Sequence, residues 1–167
     1  MQNFFELFSL PTNFAVDLAA LEKKYLEFQN QFHPDKSQGE KSSDDISKSI
    51  EINAAYKILS DDFLRACYLL SLKGADIQND EKAVKVDLAT LEATLELQEK
   101  ISEIVDVNEI SALLAKINSE IKFLISAFVK AFEGNEIELA AQFLVKAKYL
   151  KKSAQDLKIR KQKFRPL

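Results

Sequence analysis

The stretch that decides the fold is "LAALEKKYLEFQNQFHPDK", residues 18–36. Apolar side chains recur in it at alternating spacings of three and four residues, as they do along one face of an α-helix. They are Leu18, Leu21, Tyr25, Phe28 and Phe32. The preceding Asp17 is the predicted N-cap. Because a residue before proline disfavours the α region, the helix is expected to end close to Pro34.

Helical patterns continue on both sides of this stretch, and no segment competes as a strand. The other predicted helices are a short one stopped at Pro11, one capped by Ser42 or Ser43 and running to about Leu59, one ending at Gly74, and three longer ones at about residues 87–106, 108–132 and 136–163. Residues 74–82 are the predicted linker between a first domain, residues 1–75, and a second, residues 76–167. The predicted architecture is all-α, with a helical hairpin and short flanking helices followed by a three-helix antiparallel bundle.

Three apolar stripes predict the core of this bundle. The first helix is expected to contribute Leu97, Ile101, Ile104 and Val105. The second is expected to contribute Ile110, Leu113, Leu114, Ile117, Ile121, Leu124, Phe128 and Phe132. The third is expected to contribute Leu139, Phe143, Ala147, Leu150, Ala154 and Leu157.

Composition excludes several classes of protein. Of the 167 residues, 47% are hydrophobic and 29% charged, which is typical of a folded globular protein. One cysteine and one histidine exclude an intramolecular disulfide and a zinc site of nitrogen and sulfur ligands within this chain, and no metal or cofactor is predicted. No apolar run approaches the roughly 20 residues of a membrane span and no secretory signal is recognised, so no membrane partner and a cytoplasmic location are expected. The net charge of −3 argues against broad nucleic-acid binding.

His33, Pro34 and Asp35 lie at the predicted tip of the helical hairpin. Pro34 fixes its own φ and removes a backbone donor, which stiffens the residues beside it. A carboxylate held in this way suits docking on a basic partner surface, because it accepts charge-assisted hydrogen bonds from arginine. Taken alone, such a triplet is more often only the end of a helix, and that alternative stays open at this point.

The order of motifs around the triplet resembles that of a J-domain over roughly residues 1–75. "LFSLP" precedes the Leu/Tyr/Phe helix, "HPDK" follows it, and Asn53-Ala54-Ala55-Tyr56 with "LSD" comes about twenty residues later. J-domains dock on seventy-kilodalton heat-shock ATPases and stimulate ATP hydrolysis, so the resemblance implies that partner and no catalysis by the chain itself. The docking residues that it implies are His33, Pro34, Asp35 and Lys36, with Lys23 and Lys24 as available cations. Glu22 and Glu27 interrupt the basic face that is usual in the family.

The first helix of the bundle carries a second candidate surface. At about 100° per residue, four glutamates fall within about 60° of one another, opposite the core stripe: Glu92, Glu96, Glu99 and Glu103. They are flanked by Leu88, Leu91 and Leu95. Apolar residues bordered by charge are typical of interfaces, whereas an acidic row alone is usually a solvated surface. On the last helix, Tyr149 lies about 100° from the core stripe, as an outward contact or a boundary residue.

The full sequence resembles the HscB family, the J-domain co-chaperones of iron–sulfur cluster assembly. The resemblance comes from "FFELFSLP", from "RACYLLSLKG" and from the change from an acidic to a basic helix in the bundle. It implies two partners, a heat-shock ATPase specialised for iron–sulfur clusters and the iron–sulfur scaffold protein. The scaffold-binding residues that it implies are Leu91, Leu95, Glu96, Glu99, Glu103 and Tyr149. Glu92 stands where an apolar residue is expected, and the lack of an N-terminal CxxC extension indicates a bacterial member.

Other interpretations predict different behaviour. An enzyme would use His33 and Asp35 as an acid–base pair or Cys67 as a nucleophile, yet Cys67 lies in an apolar helix with no second imidazole to activate it. A general J-domain co-chaperone for other protein clients would share the hairpin and differ only in its bundle. Nucleic-acid binding by the basic last helix would be strongly salt-dependent, and the acidic helix argues against it.

Overall fold

The computed structural model describes residues 3–32, 43–77 and 86–164, and within these ranges every regular element is an α-helix. The helices are α1 (Phe4–Leu7), α2 (Leu18–Phe32), α3 (Ser43–Ser60), α4 (Asp62–Leu72), α5 (Leu88–Glu103), α6 (Val107–Glu133) and α7 (Ile137–Lys163). The predicted all-α class and the predicted order of helices are confirmed. The chain divides into two compact units, Met1–Leu69 and Leu70–Leu167. The domain boundary predicted at residue 75 stays a prediction.

The short helix α1 is held at both its start and its side. Asn3 and Glu6 form a capping box, in which the Asn3 Oδ1 accepts from the Glu6 backbone N–H at 3.0 Å and the Glu6 carboxylate accepts from the Asn3 backbone N–H at 3.1 Å. The Phe4 backbone N–H donates to the Tyr68 hydroxyl at 2.9 Å, and the two rings stack with centroids 4.6 Å apart. Because a four-residue helix is unstable alone, its contacts with α4 determine that it forms.

The α2–α3 hairpin is fixed in register by a polar contact beside its core. The Asn53 Oδ1 accepts from the Tyr25 hydroxyl at 2.9 Å and from the Gln29 amide at 2.7 Å. Next to it, the Tyr25 and Tyr56 rings stack with centroids 4.0 Å apart. The hairpin core consists of Leu21, Ile52, Ala55 and Leu59, which are all buried. A slip of one residue between the helices would break the Asn53 contacts, so the register is specific.

Arg65 is a charged residue in the interior of the first unit, with 4% of its surface exposed. Its guanidinium donates to the backbone carbonyls of Phe14 and Leu59 and pairs with the Asp62 carboxylate. It also lies over the Phe14 ring, with the guanidinium carbon 4.6 Å from the centroid. One side chain therefore joins the segment before α2, the last turn of α3 and the first turn of α4.

Gly74 ends the turn after α4, as the sequence predicted. Its φ of +83° is left-handed, a conformation that a glycine adopts without strain. The Ala75 backbone N–H reaches back to the Leu70 carbonyl at 3.3 Å and closes the end of the helix. Farther on, the Lys148 ammonium donates to the Ile77 carbonyl at 2.9 Å, which attaches this segment to α7.

In the second unit, α7 packs most extensively against α6 and less extensively against α5. An apolar cluster joins the three helices near the α5–α6 turn: Ile101, Ile104, Ile110, Ile117, Ala154 and Leu157. Polar contacts complete the attachment of α5 to α7. The Gln98 amide donates to the Ser153 hydroxyl at 3.1 Å and to the Asp156 carboxylate at 3.2 Å. The Arg160 guanidinium donates to the Ile104 carbonyl at 2.6 Å.

Two predictions of buried side chains in this bundle are wrong. Val105 is 65% exposed because α5 ends at Glu103 and its C-cap, Ile104, is already extended, so the helical period does not reach residue 105. Leu139 is 40% exposed because the buried face turns along α7. Near the start of that helix the buried residues are Ala140, Ala141, Leu144 and Val145, whereas farther along they are Ser153, Ala154 and Leu157.

The first turn of α5 is fixed by Asp87. This N-cap residue accepts a hydrogen bond from the Thr90 backbone N–H at 2.7 Å, and the Lys146 ammonium lies 3.5 Å from its other carboxylate oxygen. Hydrogen bonds from Thr90, with a smaller contribution from Lys146, lower the pKa of Asp87. The charged form of Asp87 therefore favours the start of α5.

We expect Arg65→Met to lower the free energy of unfolding by about 2–4 kcal/mol, because the Leu59 carbonyl loses its side-chain donor inside the protein and the Phe14 carbonyl keeps its bond from the Val16 backbone N–H but loses the one from Arg65. Urea-induced unfolding followed by circular dichroism measures the change. The exposed Lys57 provides a matched control, since Lys57→Met removes a charge of the same sign from the same unit. Equal unfolding curves for the two variants would contradict the role given to Arg65.

We expect the stabilising effect of Asp87 to depend on pH. Because its pKa is lowered in the folded protein, its contribution is complete above the usual carboxyl pKa and is lost as the pH falls through the lowered value. Asp87→Asn should therefore be less stable than the wild type at neutral pH, and the difference should close in acid. Thermal unfolding between about pH 7 and pH 2.5 measures this. A difference that stays constant over this range would show that the charge of Asp87 is not involved.

Candidate functional site

An exposed strip of leucines runs along the outer side of α5. Leu88, Leu91 and Leu95 are 70%, 39% and 65% exposed. The opposite side of the helix faces the bundle, where Ile101 is buried and Leu97 packs against the apolar cluster. Since the core is supplied by these other residues, the three leucines are not required to hold α5 in the bundle. The predicted leucine surface is therefore present and accessible in this unit.

The four glutamates of α5 form an exposed row beside this strip: Glu92, Glu96, Glu99 and Glu103. Within the described ranges, none of the four carboxylates is paired with a cation. Like charges one helical turn apart repel each other, so the row costs the isolated helix a few tenths of a kcal/mol for each pair. A partner that presents lysine or arginine would remove this repulsion, which makes the row a candidate for electrostatic recognition.

Tyr149 lies in a different environment from the leucines. It is half-buried and lines a cleft of about 290 Å³ between α5, α6 and α7. The other residues of the cleft are Ala89, Thr90, Ala93, Thr94, Leu97, Glu120, Leu124, Lys146 and Leu150. Leu91 and Leu95 are not among these residues. The structure thus places five of the six predicted scaffold-binding residues on the outer side of α5 and the sixth in the wall of the cleft.

The cleft was missed by sequence reasoning, although the sequence holds a signal for it. On the bundle side of α5, Ala89, Thr90, Ala93 and Thr94 are all small. They occupy positions where a bundle helix normally carries large apolar residues. Small residues on this side of α5 leave the space between α5 and α6 unfilled, so that Ala89 and Ala93 stay exposed at the cleft.

The predicted cations of α2 have different roles in the structure. Lys23 is exposed, next to the exposed Glu22. Lys24 is half-buried, and its ammonium donates to the Phe8 carbonyl. Lys24 therefore contributes to the packing of the first unit, and Lys23 is the better candidate for contact with a partner. The predicted docking residues His33, Pro34, Asp35 and Lys36 lie outside the described residues.

The hairpin also exposes apolar side chains that the sequence analysis did not assign to a site. Ile50 is 64% exposed, Leu26 54% and Ile46 50%. In α3, Ile46 and Ile50 are one turn apart and lie away from the buried face that carries Ile52 and Ala55. This adds an accessible apolar surface to the helix that follows the "HPDK" segment.

Of the residues considered for catalysis, Cys67 lies in the interior, whereas His33 and Asp35 lie outside the described residues. Cys67 is 7% exposed, so its thiol has little access to a substrate. Over the described part of the chain, no group of three or more histidine, cysteine, aspartate or glutamate side chains forms a metal-binding cluster. Nor is any helix in that part long and apolar enough to cross a membrane.

Both units match known protein families. Residues 3–68 match the DnaJ domain, and residues 86–158 match the HSCB C-terminal oligomerisation domain. A relative from Psychromonas ingrahamii, named as a co-chaperone protein HscB homolog, is 34% identical over 155 residues, which cover 90% of this chain and 91% of the relative. Such relatives are co-chaperones, which agrees with a chain that is not itself an enzyme.

Solved structures give the same result. The chaperone HscB from Vibrio cholerae has a TM-score of 0.83 and 26% identity, covering 98% of this chain and 99% of its own. The human co-chaperone protein HscB has a TM-score of 0.84 and 27% identity, covering 96% of this chain and 83% of its own. With both domains matched in order and a relative above 30% identity along nearly the whole length, the chain belongs to the HscB family, the J-domain co-chaperones of iron–sulfur cluster assembly.

Proposed function

We propose that this co-chaperone delivers the iron–sulfur scaffold protein to a specialised seventy-kilodalton heat-shock ATPase and stimulates that ATPase. The observation that carries the proposal is the combination of two surfaces on one chain. A J-domain match covers residues 3–68, and the second unit presents an exposed leucine strip beside a row of glutamates that no cation of the described residues pairs with. The same proposal includes a bacterial cytoplasmic location, the first domain at residues 1–75 and the second at residues 76–167.

The docking segment consists of His33, Pro34, Asp35 and Lys36, which follow α2 in the sequence. In the proposed mechanism the carboxylate of Asp35 accepts charge-assisted hydrogen bonds from the ATPase. The Asn53 contacts hold the register of α2 against α3, the two helices between which this segment lies in the sequence. Of the two lysines of α2, Lys23 is free of the internal contact made by Lys24 and has the larger part in docking.

On the second unit, Leu91 and Leu95 are the proposed apolar anchors for the scaffold protein. Glu96, Glu99 and Glu103 are the proposed acceptors for its basic side chains, and Tyr149 contributes from the wall of the cleft. Their exposure supports this assignment, because anchors must be accessible before binding and become desolvated on binding. The cluster itself is cargo of the scaffold, and no cofactor of the co-chaperone takes part.

Two binding surfaces on one chain accelerate delivery without any new contact between the partners. When the second unit holds the scaffold and the J-domain holds the ATPase, the encounter of the two partners becomes intramolecular at a raised effective concentration. The expected result is that the scaffold and the co-chaperone together stimulate ATP hydrolysis more than either does alone.

We expect Asp35→Asn to abolish most of the stimulation of the partner ATPase, because the amide cannot supply the charged acceptor. Steady-state ATP hydrolysis with and without scaffold measures this. The matched control is Asp44→Asn, which removes a charge from the exposed first turn of α3. Full stimulation by Asp35→Asn would overturn the docking assignment.

We expect the double variant Leu91→Ala, Leu95→Ala to weaken scaffold binding by about 2–4 kcal/mol while leaving the fold intact. Isothermal titration calorimetry with the scaffold protein measures the affinity, and circular dichroism checks the fold. The exposed Leu139, in the same unit, serves as control through Leu139→Ala. Unchanged affinity in the double variant would move the site elsewhere on the protein.

The rival function, a general J-domain co-chaperone, makes a different prediction for the second unit. If the full chain binds unfolded polypeptides in competition with the scaffold protein, the general function is correct. If it binds the folded scaffold and ignores unfolded polypeptides, delivery of the scaffold is supported.

A further inference from the structure

We infer that Leu88 is a third apolar anchor of the scaffold-binding face. Together with Glu92, it binds a segment of the scaffold in which an apolar side chain is followed by lysine or arginine. The inference rests on the proposed function and extends it to a residue outside the set assigned from the family resemblance. Leu88 also supplies an apolar side chain in place of the one expected at position 92, where this sequence has Glu92.

The position of Leu88 on α5 makes it continuous with the other two leucines. At about 100° per residue, Leu88, Leu91 and Leu95 fall within about 60° of one another. Their Cα atoms span about 10 Å along the helix axis at a rise of about 1.5 Å per residue. The three side chains therefore form one strip rather than separate exposed residues, and Leu88, at 70% exposure, is the most accessible of them.

The backbone at Leu88 is held in place, which distinguishes it from a leucine at a frayed helix end. Leu88 is the first residue of α5, directly after the N-cap. The Asp87 carboxylate accepts from the Thr90 backbone N–H, and Lys146 of α7 lies 3.5 Å away from it. These contacts tie the first turn of α5 to α7. A side chain on a fixed turn loses less conformational freedom on binding, so its burial contributes more to affinity.

Charge around the strip selects the chemistry of the partner. Glu92 lies one turn after Leu88, and Glu96, Glu99 and Glu103 continue the row along the same side of the strip. No cation within the described ranges pairs with these carboxylates. A complementary segment of the scaffold therefore presents an aliphatic or aromatic side chain to the leucines and basic side chains to the glutamates. A segment with acidic side chains would be repelled.

The test compares four full-length proteins in calorimetric titrations with the cluster-free scaffold protein: wild type, Leu88→Ala, Leu88→Met and Leu139→Ala. We expect Leu88→Ala to raise the Kd about tenfold, since a truncated anchor typically costs at least one such factor. Leu88→Met keeps the apolar volume and should bind nearly as the wild type does. Leu139→Ala, an exposed leucine of α7 in the same unit, should leave the Kd unchanged.

The dependence of scaffold affinity on salt concentration distinguishes the apolar anchor from the charged row. The loss caused by Leu88→Ala should persist between about 0.05 M and 0.5 M salt, because burial of an apolar side chain is not screened. The loss caused by Glu92→Gln should shrink over the same range, because it comes from attraction between exposed charges. A salt-sensitive Leu88→Ala or a salt-insensitive Glu92→Gln would contradict the assigned chemistry.

The outcomes distinguish this inference from the proposed function. If Leu88→Ala binds as the wild type does while Leu91→Ala, Leu95→Ala is weakened, the inference is wrong and the proposed function stands. If neither variant is weakened, the proposed function itself is wrong. The oligomeric state without scaffold is measured by sedimentation. If the wild type is a dimer and Leu88→Ala is a monomer, the strip joins copies of this chain, which also overturns the inference.

Discussion

The first unit depends on a single buried guanidinium. Arg65 supplies donors to two backbone carbonyls that belong to different parts of the chain, Phe14 before α2 and Leu59 at the end of α3, and pairs with Asp62 at the start of α4. Leu59 lies in the last turn of α3, where carbonyl groups have no partner within the helix, and burying such a carbonyl unpaired would cost about 1–3 kcal/mol. Because Arg65 meets this need at the point where three segments converge, α2 and α3 leave that point in fixed directions. The α2–α3 hairpin inherits its placement from this contact.

In the second unit, one side of α5 packs in the bundle and the other side presents an exposed surface of leucines and glutamates. Its bundle side contributes Leu97, Ile101 and the Gln98 contacts to α7, which is enough to hold it. Its outer side keeps large leucines in water and aligns like charges, and both features disfavour the isolated fold. A protein selected for stability alone would use polar, charge-balanced residues there. The persistence of an unfavourable surface on a helix with a capped start is the physical reason for proposing that this surface binds a partner.

Local patterns predicted most of the architecture, and failures occurred where tertiary context decides. The spacing of apolar residues, the N-cap Asp17 and the helix end at Gly74 located the helices, since capping and periodicity act over a few residues. Val105 was wrongly predicted to be buried because the helical spacing was continued past the end of α5 at Glu103. Leu139 was wrongly predicted to be buried because the buried face of α7 changes direction along the helix. The internal use of Lys24 and the central role of Arg65 depend on carbonyls distant in sequence, which no local pattern reports. The leucines and glutamates of α5 were correctly predicted to be accessible, because a helix in a bundle has one buried side.

The cleft beside Tyr149 has a mechanical consequence for α5. Small side chains at Ala89 and Ala93 leave the first half of this helix without close packing against α6, while the isoleucine cluster holds its second half. Regions with few apolar contacts open at lower free energy than the body of a domain. The half of α5 that carries the leucine strip is therefore attached mainly to α7, through Asp87 and Lys146 at its first turn and through the Gln98 contacts at its end. Loss of the contact between Asp87 and Lys146 is therefore expected to loosen this half of α5 while α6 and α7 remain packed against each other.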